Sequence, residues 1–132
     1  MLGLYAQHAQ TYLLVLMIST TLFFALPIFI APLAWARLML WRIPQDTDLA
    51  VYFGRCLGAF ILIVEFLMLR GATTVETTAY AFDVLFGVFG LMLAVHVYGA
   101  IRRIQPITET LEIGFWALLL LLNTWFYPAP AA

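Results

Sequence analysis

The amino-acid sequence predicts an all-α protein: an integral membrane four-helix bundle with short loops, formed as a single transmembrane domain over residues 1–132. Hydrophobic residues make up 65% of the chain and charged residues only 10%, whereas a soluble domain carries about 25% charged residues. Four apolar stretches are each close to the ~20 residues needed to cross ~30 Å of hydrocarbon. In lipid the backbone must satisfy its own hydrogen bonds, so these stretches are expected to be helices.

The first apolar stretch predicts a helix over residues 11–34 that contains two prolines. Pro27 and Pro32 each remove a backbone hydrogen bond and tend to kink a helix. The residues that follow predict an interfacial segment over 34–43, because indole and guanidinium groups favour the depth of the lipid headgroups. These groups belong to Trp35, Arg37, Trp41 and Arg42.

The other three apolar stretches predict helices over residues 49–70, 74–102 and 109–126. Polar turn signals separate them, and the linkers are too short for a separate soluble domain. Thr73 and Glu76 have the Thr-x-x-Glu spacing of a capping box, in which the two residues satisfy free N–H groups at a helix start. This spacing predicts that the third helix begins here.

The distribution of arginine predicts the orientation of the bundle. Arg37 and Arg42 lie between helices 1 and 2, and Arg102 and Arg103 lie between helices 3 and 4. On the opposite side only Arg70 lies near a helix end. Because positively charged loops stay in the cytoplasm, both termini are predicted to be extracytoplasmic.

Small residues on helices 2 and 3 predict a close contact between helices. Gly54 and Gly58 form a GxxxG pair on helix 2, and one face of helix 3 carries Gly87, Gly90 and Ala94. Small residues at this spacing let two helix backbones approach each other. The favoured interpretation is that they pack helices 2 and 3 together, and the alternative is a seam between two copies of the chain, a homo-oligomer.

Ionisable side chains inside the apolar stretches predict an intramembrane polar network. Such groups are costly in a bilayer, so they usually face the bundle interior and pair with one another. Counting residues along each helix predicts two clusters at different depths. The outer cluster consists of Glu65, Arg70, Asp83 and Glu76. The inner cluster consists of Arg55, His96 and Glu112.

Three interpretations of these clusters are open. The favoured one is structural: the charges tie the helices together and select one register. The second is a polar cavity or proton-accessible site, in which Glu65 and Asp83 share a proton because two close carboxylates do not both ionise easily. The third is contact with a partner subunit.

The sequence lacks the residues that several classes of function require. The net charge of −1 indicates no nucleic-acid partner, and the single cysteine, Cys56, excludes an internal disulfide or a CxxC pair. His8 and His96 fall toward opposite sides of the bilayer, too far apart to ligate one haem. Neither an HExxH nor an HxxxH spacing occurs in the sequence, so no metal site is predicted. No catalytic residue, metal or cofactor is therefore predicted, with contact to quinone or lipid left open.

The second helix begins with YFGRCLGAFILIVEFLML, in which Arg55 and Gly58 form an Arg-x-x-Gly pattern. With the four-helix layout, this pattern resembles the DoxX-like small four-helix bacterial membrane proteins. The resemblance covers the layout of most of the chain and that short motif in detail. It implies a four-helix bundle and, for some relatives, association with quinone-linked oxidoreductase systems. No catalytic residue is carried over from it.

These observations predict a small non-catalytic protein of the bacterial cytoplasmic (inner) membrane, acting as an accessory or assembly subunit of a larger complex. Its expected partners are membrane lipids and other integral membrane proteins. The alternative is a small transporter or quinone-site protein that uses Glu65, Asp83 and Arg70. A solvent-connected cavity lined by these residues would favour the alternative, and a dry, fully paired network would favour the accessory subunit.

Overall fold

The computed structural model describes residues 2–128, and this part of the chain contains helices and no strand. The five helices are α1 (Ala6–Ile30), α2 (Pro32–Leu38), α3 (Asp48–Thr73), α4 (Val75–Arg102) and α5 (Ile107–Phe126). All except the short α2 are long and apolar enough to cross a membrane. The prediction of an all-α chain with four helices long and apolar enough to span a membrane is therefore confirmed.

The predicted first helix is divided into two in the structure. α1 begins at Ala6, ahead of the predicted start, and ends at Ile30. Ala31 leaves the helical region with φ −136° and ψ 61°, because a proline ring disfavours helical backbone in the residue before it. Pro32 then begins α2, where its missing N–H is not needed. The segment predicted at the interface is thus helical only as far as Leu38.

A π-helical turn over Thr21–Ala25 interrupts α1 just before Pro27. In a regular helix the N–H of residue 27 would donate to the carbonyl of Phe23, and proline has no N–H to donate. The indole of Trp35 donates to the Phe23 carbonyl instead, with Nε1 3.2 Å from the oxygen. Trp35 of α2 therefore satisfies a carbonyl that the proline leaves free, and folds α2 back beside α1.

The four long helices form a bundle in which α1 packs on α3, α3 on α4, and α4 on α5. The N–H groups of Gly3 and Tyr5 donate to the carbonyls of Thr124 and Trp125 at 2.9 and 2.8 Å, so the start of the chain lies beside the end of α5. Both ends of the described chain are therefore at the same end of the bundle. The largest fully buried side chains of the core are those of Leu13, Phe82, Leu85 and Asn123.

The turn between α3 and α4 does not contain the predicted capping box. Thr73 is still the last residue of α3, and its hydroxyl donates back to the carbonyl of Leu69. No side chain caps the start of α4. Threonine side chains of α4 instead form hydrogen bonds to the end of α3: the Thr78 hydroxyl donates to the carbonyl of Gly71 at 2.8 Å. The polar side chains of this turn therefore satisfy the last carbonyls of α3.

The predicted GxxxG pair packs against the first helix instead of the third. A Cβ atom at Gly58 would lie 2.6 Å from the Cα of Phe29, and one at Gly54 would lie 2.5 Å from the Cβ of Pro32. The glycines therefore make room for the end of α1 and the start of α2 to approach α3.

The small residues predicted on the facing helix make no such contact. A Cβ atom at Gly87 or Gly90 would have no neighbour within 4 Å, and Ala94 is exposed. The prediction that these residues pack against the GxxxG pair is therefore wrong, since the GxxxG pair contacts α1 and α2 while a Cβ atom at Gly87 or Gly90 would contact no other helix. Their role as a seam between two copies of the chain stays a prediction.

Candidate functional site

The polar centre of the bundle is built around the tight connection between α4 and α5. Arg103, with a left-handed backbone at φ 54°, follows the last residue of α4, and α5 begins after Pro106. The side-chain amide of Gln105 donates to the carbonyl of His96 at 3.0 Å and to the hydroxyl of Thr110 at 3.2 Å. This short, cross-linked turn places the last turns of α4 directly beside the first turns of α5.

This connection brings His96 together with two glutamates of α5. The Nε2 atom of His96 lies 3.1 Å from an oxygen of Glu109 and 3.3 Å from an oxygen of Glu112. All three side chains are largely buried, with exposed fractions of 5%, 12% and 13%. These two are the only ion pairs within residues 2–128. We call these three residues the His–Glu cluster.

Two outer groups hold the cluster in place. The Nδ1 atom of His96 lies 2.7 Å from the carbonyl oxygen of Met92. Because a carbonyl can only accept, Nδ1 carries the hydrogen and Nε2 is the atom left to face the carboxylates. The indole of Trp41, from the segment after α2, donates to the second oxygen of Glu109 at 2.7 Å. The ring of His96 and the carboxylate of Glu109 are therefore both fixed in orientation.

The cluster lies in the wall of a cavity enclosed between the long helices. The cavity has a volume of about 320 Å³, and most of its surface is apolar. α1, α3, α4 and α5 all contribute to its wall. Among the apolar side chains that line it are Leu16, Phe24, Ile61, Val88, Phe115 and Trp116. Polar groups enter this wall at few positions, which is the usual character of a small-molecule site.

Glu65 of α3 is the other acidic group of the cavity wall. Its side chain is buried, with a relative exposure of 5%, and its Oε2 atom has no hydrogen-bond partner among residues 2–128. Thr20 and Thr21 of α1 lie beside this carboxyl group, but the Thr20 hydroxyl donates to the carbonyl of Leu16 in its own helix. A buried carboxyl oxygen without a partner is costly, because burial removes the hydrogen bonds that water would supply.

The outer cluster predicted around Glu65 does not form. Asp83 is exposed and lies outside the cavity wall, and its carboxylate accepts a hydrogen bond from the Tyr127 hydroxyl at 3.1 Å. That bond raises the pKa of the Tyr127 phenol. Arg70 and Glu76 are also exposed and make no ion pair within the described part of the chain. The predicted pairing of Glu65 with Asp83 and Arg70 is therefore corrected: only Glu65 faces the cavity.

The predicted inner cluster is formed by two of its three members. His96 and Glu112 meet, but Arg55 is exposed and lines a separate surface groove with Asp48 and Tyr52. Its predicted pairing with His96 or Glu112 is therefore wrong. Counting residues gives the depth of a side chain but not the direction in which it leaves the helix.

Two groups of this site, the Glu109 carboxylate and the Trp41 indole, do not belong to the polar network predicted from the sequence. One signal could have identified Glu109. It precedes Glu112 by three residues, so both carboxylates lie on one face of α5. Trp41 gives no comparable signal, because its contact with Glu109 joins two segments far apart in the chain.

Comparison of the chain with protein-family models, with curated proteins and with solved structures gives no match. The geometry of the cavity and its polar groups therefore carries the functional argument.

Proposed function

We propose that this protein binds a small, mostly apolar molecule with polar head groups in the cavity between its helices, and that a quinone is the chemical class that suits it. The observation that carries the proposal is the cavity of about 320 Å³, in whose apolar wall Glu65 holds a carboxyl oxygen without a partner. A volume of this size is at the lower end of the range typical of ligand sites.

The chemistry of the wall matches both redox states of such a molecule. A protonated carboxyl group donates a hydrogen bond to a quinone carbonyl, and a carboxylate accepts one from a quinol hydroxyl. Glu65 could serve in either way, and the His–Glu cluster offers further polar groups in the same wall. The aromatic side chains of Phe89 and Trp116 can pack on the ring of the ligand.

Two other predictions are part of this proposal. The arginine-rich loops favour placement in a bacterial cytoplasmic membrane with both termini outside. The exposed apolar side chains on the four spanning helices fit contact with lipids and with other integral membrane proteins. The hypothesis that the protein is an accessory subunit stays a prediction beside the proposal that it binds a ligand. The hypothesis of a transporter that uses a Glu65–Asp83 pair loses its support, because the pair does not form.

A binding experiment with the full-length chain in detergent tests the proposal. Decylubiquinone is titrated while tryptophan fluorescence is recorded, because Trp35, Trp41 and Trp116 line the cavity. Saturable quenching is expected. Val88→Phe puts a larger side chain into the cavity and should weaken binding at least tenfold. The matched control is Val95→Phe, which adds the same group on an exposed part of α4.

A second pair of variants tests the polar contact. Glu65→Leu removes the carboxyl group from the wall and should weaken binding by a factor of roughly 3–10, the value of one neutral hydrogen bond. Asp83→Leu removes an equivalent charge outside the cavity and should leave the affinity unchanged. The proposal is wrong if the folded protein gives no saturable quenching, or if Val88→Phe and Val95→Phe bind equally well.

A further inference from the structure

The His–Glu cluster has the geometry of a metal-ligand set. One nitrogen and two oxygens, each from a different side chain, lie within 4.8 Å of one another. For ligands at about 2.1 Å from a metal ion, neighbouring ligand atoms are about 3.0 Å apart in an octahedral set and about 3.4 Å apart in a tetrahedral set. The distances from His96 Nε2 to the oxygens of Glu109 and Glu112, 3.1 and 3.3 Å, lie between these values.

The orientation of His96 prepares its Nε2 atom for a cation. Nδ1 donates its hydrogen to the Met92 carbonyl, so Nε2 of the neutral ring presents a lone pair. That lone pair faces two carboxylate oxygens, which are also rich in electrons. A positive charge between the three atoms, carried by a proton or a metal ion, stabilises the arrangement. Metal-bound histidines commonly hold their other ring nitrogen in this way, and metal-bound carboxylates are themselves hydrogen-bonded, as Glu109 is to Trp41.

The charge of the cluster is neutralised by one divalent metal ion but not by a single proton. A protonated His96 with two carboxylates would leave a net charge of −1 in a largely buried position, and no arginine forms an ion pair with either glutamate. An uncompensated buried charge is strongly unfavourable. A divalent cation with a neutral imidazole and two carboxylates brings the total to zero.

We propose that His96 Nε2 and one oxygen each of Glu109 and Glu112 bind a divalent first-row transition metal ion, with Zn²⁺ as the representative. Imidazole with carboxylates suits this class, whereas Mg²⁺ and Ca²⁺ prefer oxygen ligands alone. Because three protein ligands leave a coordination position open, the ion would face the cavity. This inference differs from the sequence analysis, which predicted no metal site, and it does not depend on the identity of the cavity ligand.

The test uses the full-length chain, stripped with a chelator in detergent and titrated with Zn²⁺ in a calorimeter. One Zn²⁺ per chain should bind, and Mg²⁺ should not compete at equal concentration. Glu109→Gln should weaken binding by at least ~10–100-fold, as loss of even a supporting group does in metal sites. Glu76→Gln is the matched control, because Glu76 also lies in the first turn of a helix but is exposed. Unchanged affinity in Glu109→Gln would overturn the proposal.

A second measurement needs no change in the cluster. In a His8→Gln background, His96 is the only histidine left in the chain. Bound Cu²⁺ should then show the electron spin echo modulation of a coordinated imidazole. Absence of saturable binding in this background, or binding without the imidazole signal, would overturn the proposal even if the glutamate variants failed to fold.

Discussion

Substitution of Gly58 by alanine should destabilise the bundle, although alanine is the better helix former. A Cβ atom there would lie 2.6 Å from both the Cα and the N of Phe29, and 2.7 Å from its Cβ. Favourable carbon–carbon contacts are about 3.5–4.0 Å, so α1 and α3 would have to separate by roughly 1 Å. The Phe29 backbone cannot rotate out of the way as a flexible side chain could.

The expected magnitude follows from two opposing effects. Adding a methyl group to a tight contact costs about 1–3 kcal/mol, and a contact with backbone atoms belongs at the upper end. Replacing glycine by alanine within a helix recovers about 0.5–1 kcal/mol. The net loss in the free energy of unfolding for Gly58→Ala should therefore be about 2 kcal/mol.

Gly87→Ala is the matched control, since a Cβ atom at Gly87 meets nothing within 4 Å. It should raise the free energy of unfolding by about 0.5–1 kcal/mol. Both variants are unfolded by adding SDS to the protein in mild detergent, and the loss of helix is followed by circular dichroism. If Gly58→Ala is as stable as Gly87→Ala, the close approach of α1 to α3 at this glycine is refuted.

Two further predictions concern topology and the α3–α4 turn. In a Cys56→Ala background, a thiol reagent that cannot cross the membrane should label Leu4→Cys from outside intact cells and spare Ile104→Cys. The reverse pattern would overturn the orientation inferred from arginine. Thr78→Val keeps the shape of a buried side chain but removes its hydrogen bond to the Gly71 carbonyl. It should lower the free energy of unfolding by about 0.6 kcal/mol, the average for a polar contact between membrane helices, and an unchanged SDS midpoint would argue against that bond.

Features that depend on one stretch of chain could be predicted from the sequence. The four helices that are long and apolar enough to span a membrane follow from the length and hydrophobicity of each stretch alone. The start of α3 is also defined locally, because the Asp46 carboxylate accepts a hydrogen bond from the N–H of Asp48 at 3.2 Å.

Features that depend on the rotation of a helix about its axis could not be predicted in the same way. Glu65 and Asp83 have similar predicted depths, yet Glu65 faces the cavity and Asp83 faces Tyr127. Successive residues point in directions about 100° apart, so a small error in rotation exchanges the interior for the lipid. The contact of Trp41 with Glu109 depends further on how the segment after α2 folds back, which no local pattern encodes.

The irregular stretch of α1 has a consequence for how the cavity wall can vary. Trp35 lines the cavity and is held by the Phe23 carbonyl, which is free because residue 27 is a proline. An ordinary residue at position 27 would restore an N–H that competes for the same oxygen, and would release the indole. Helix regularity and cavity shape are thus linked at Pro27, and a change that straightens the helix would also remodel the wall.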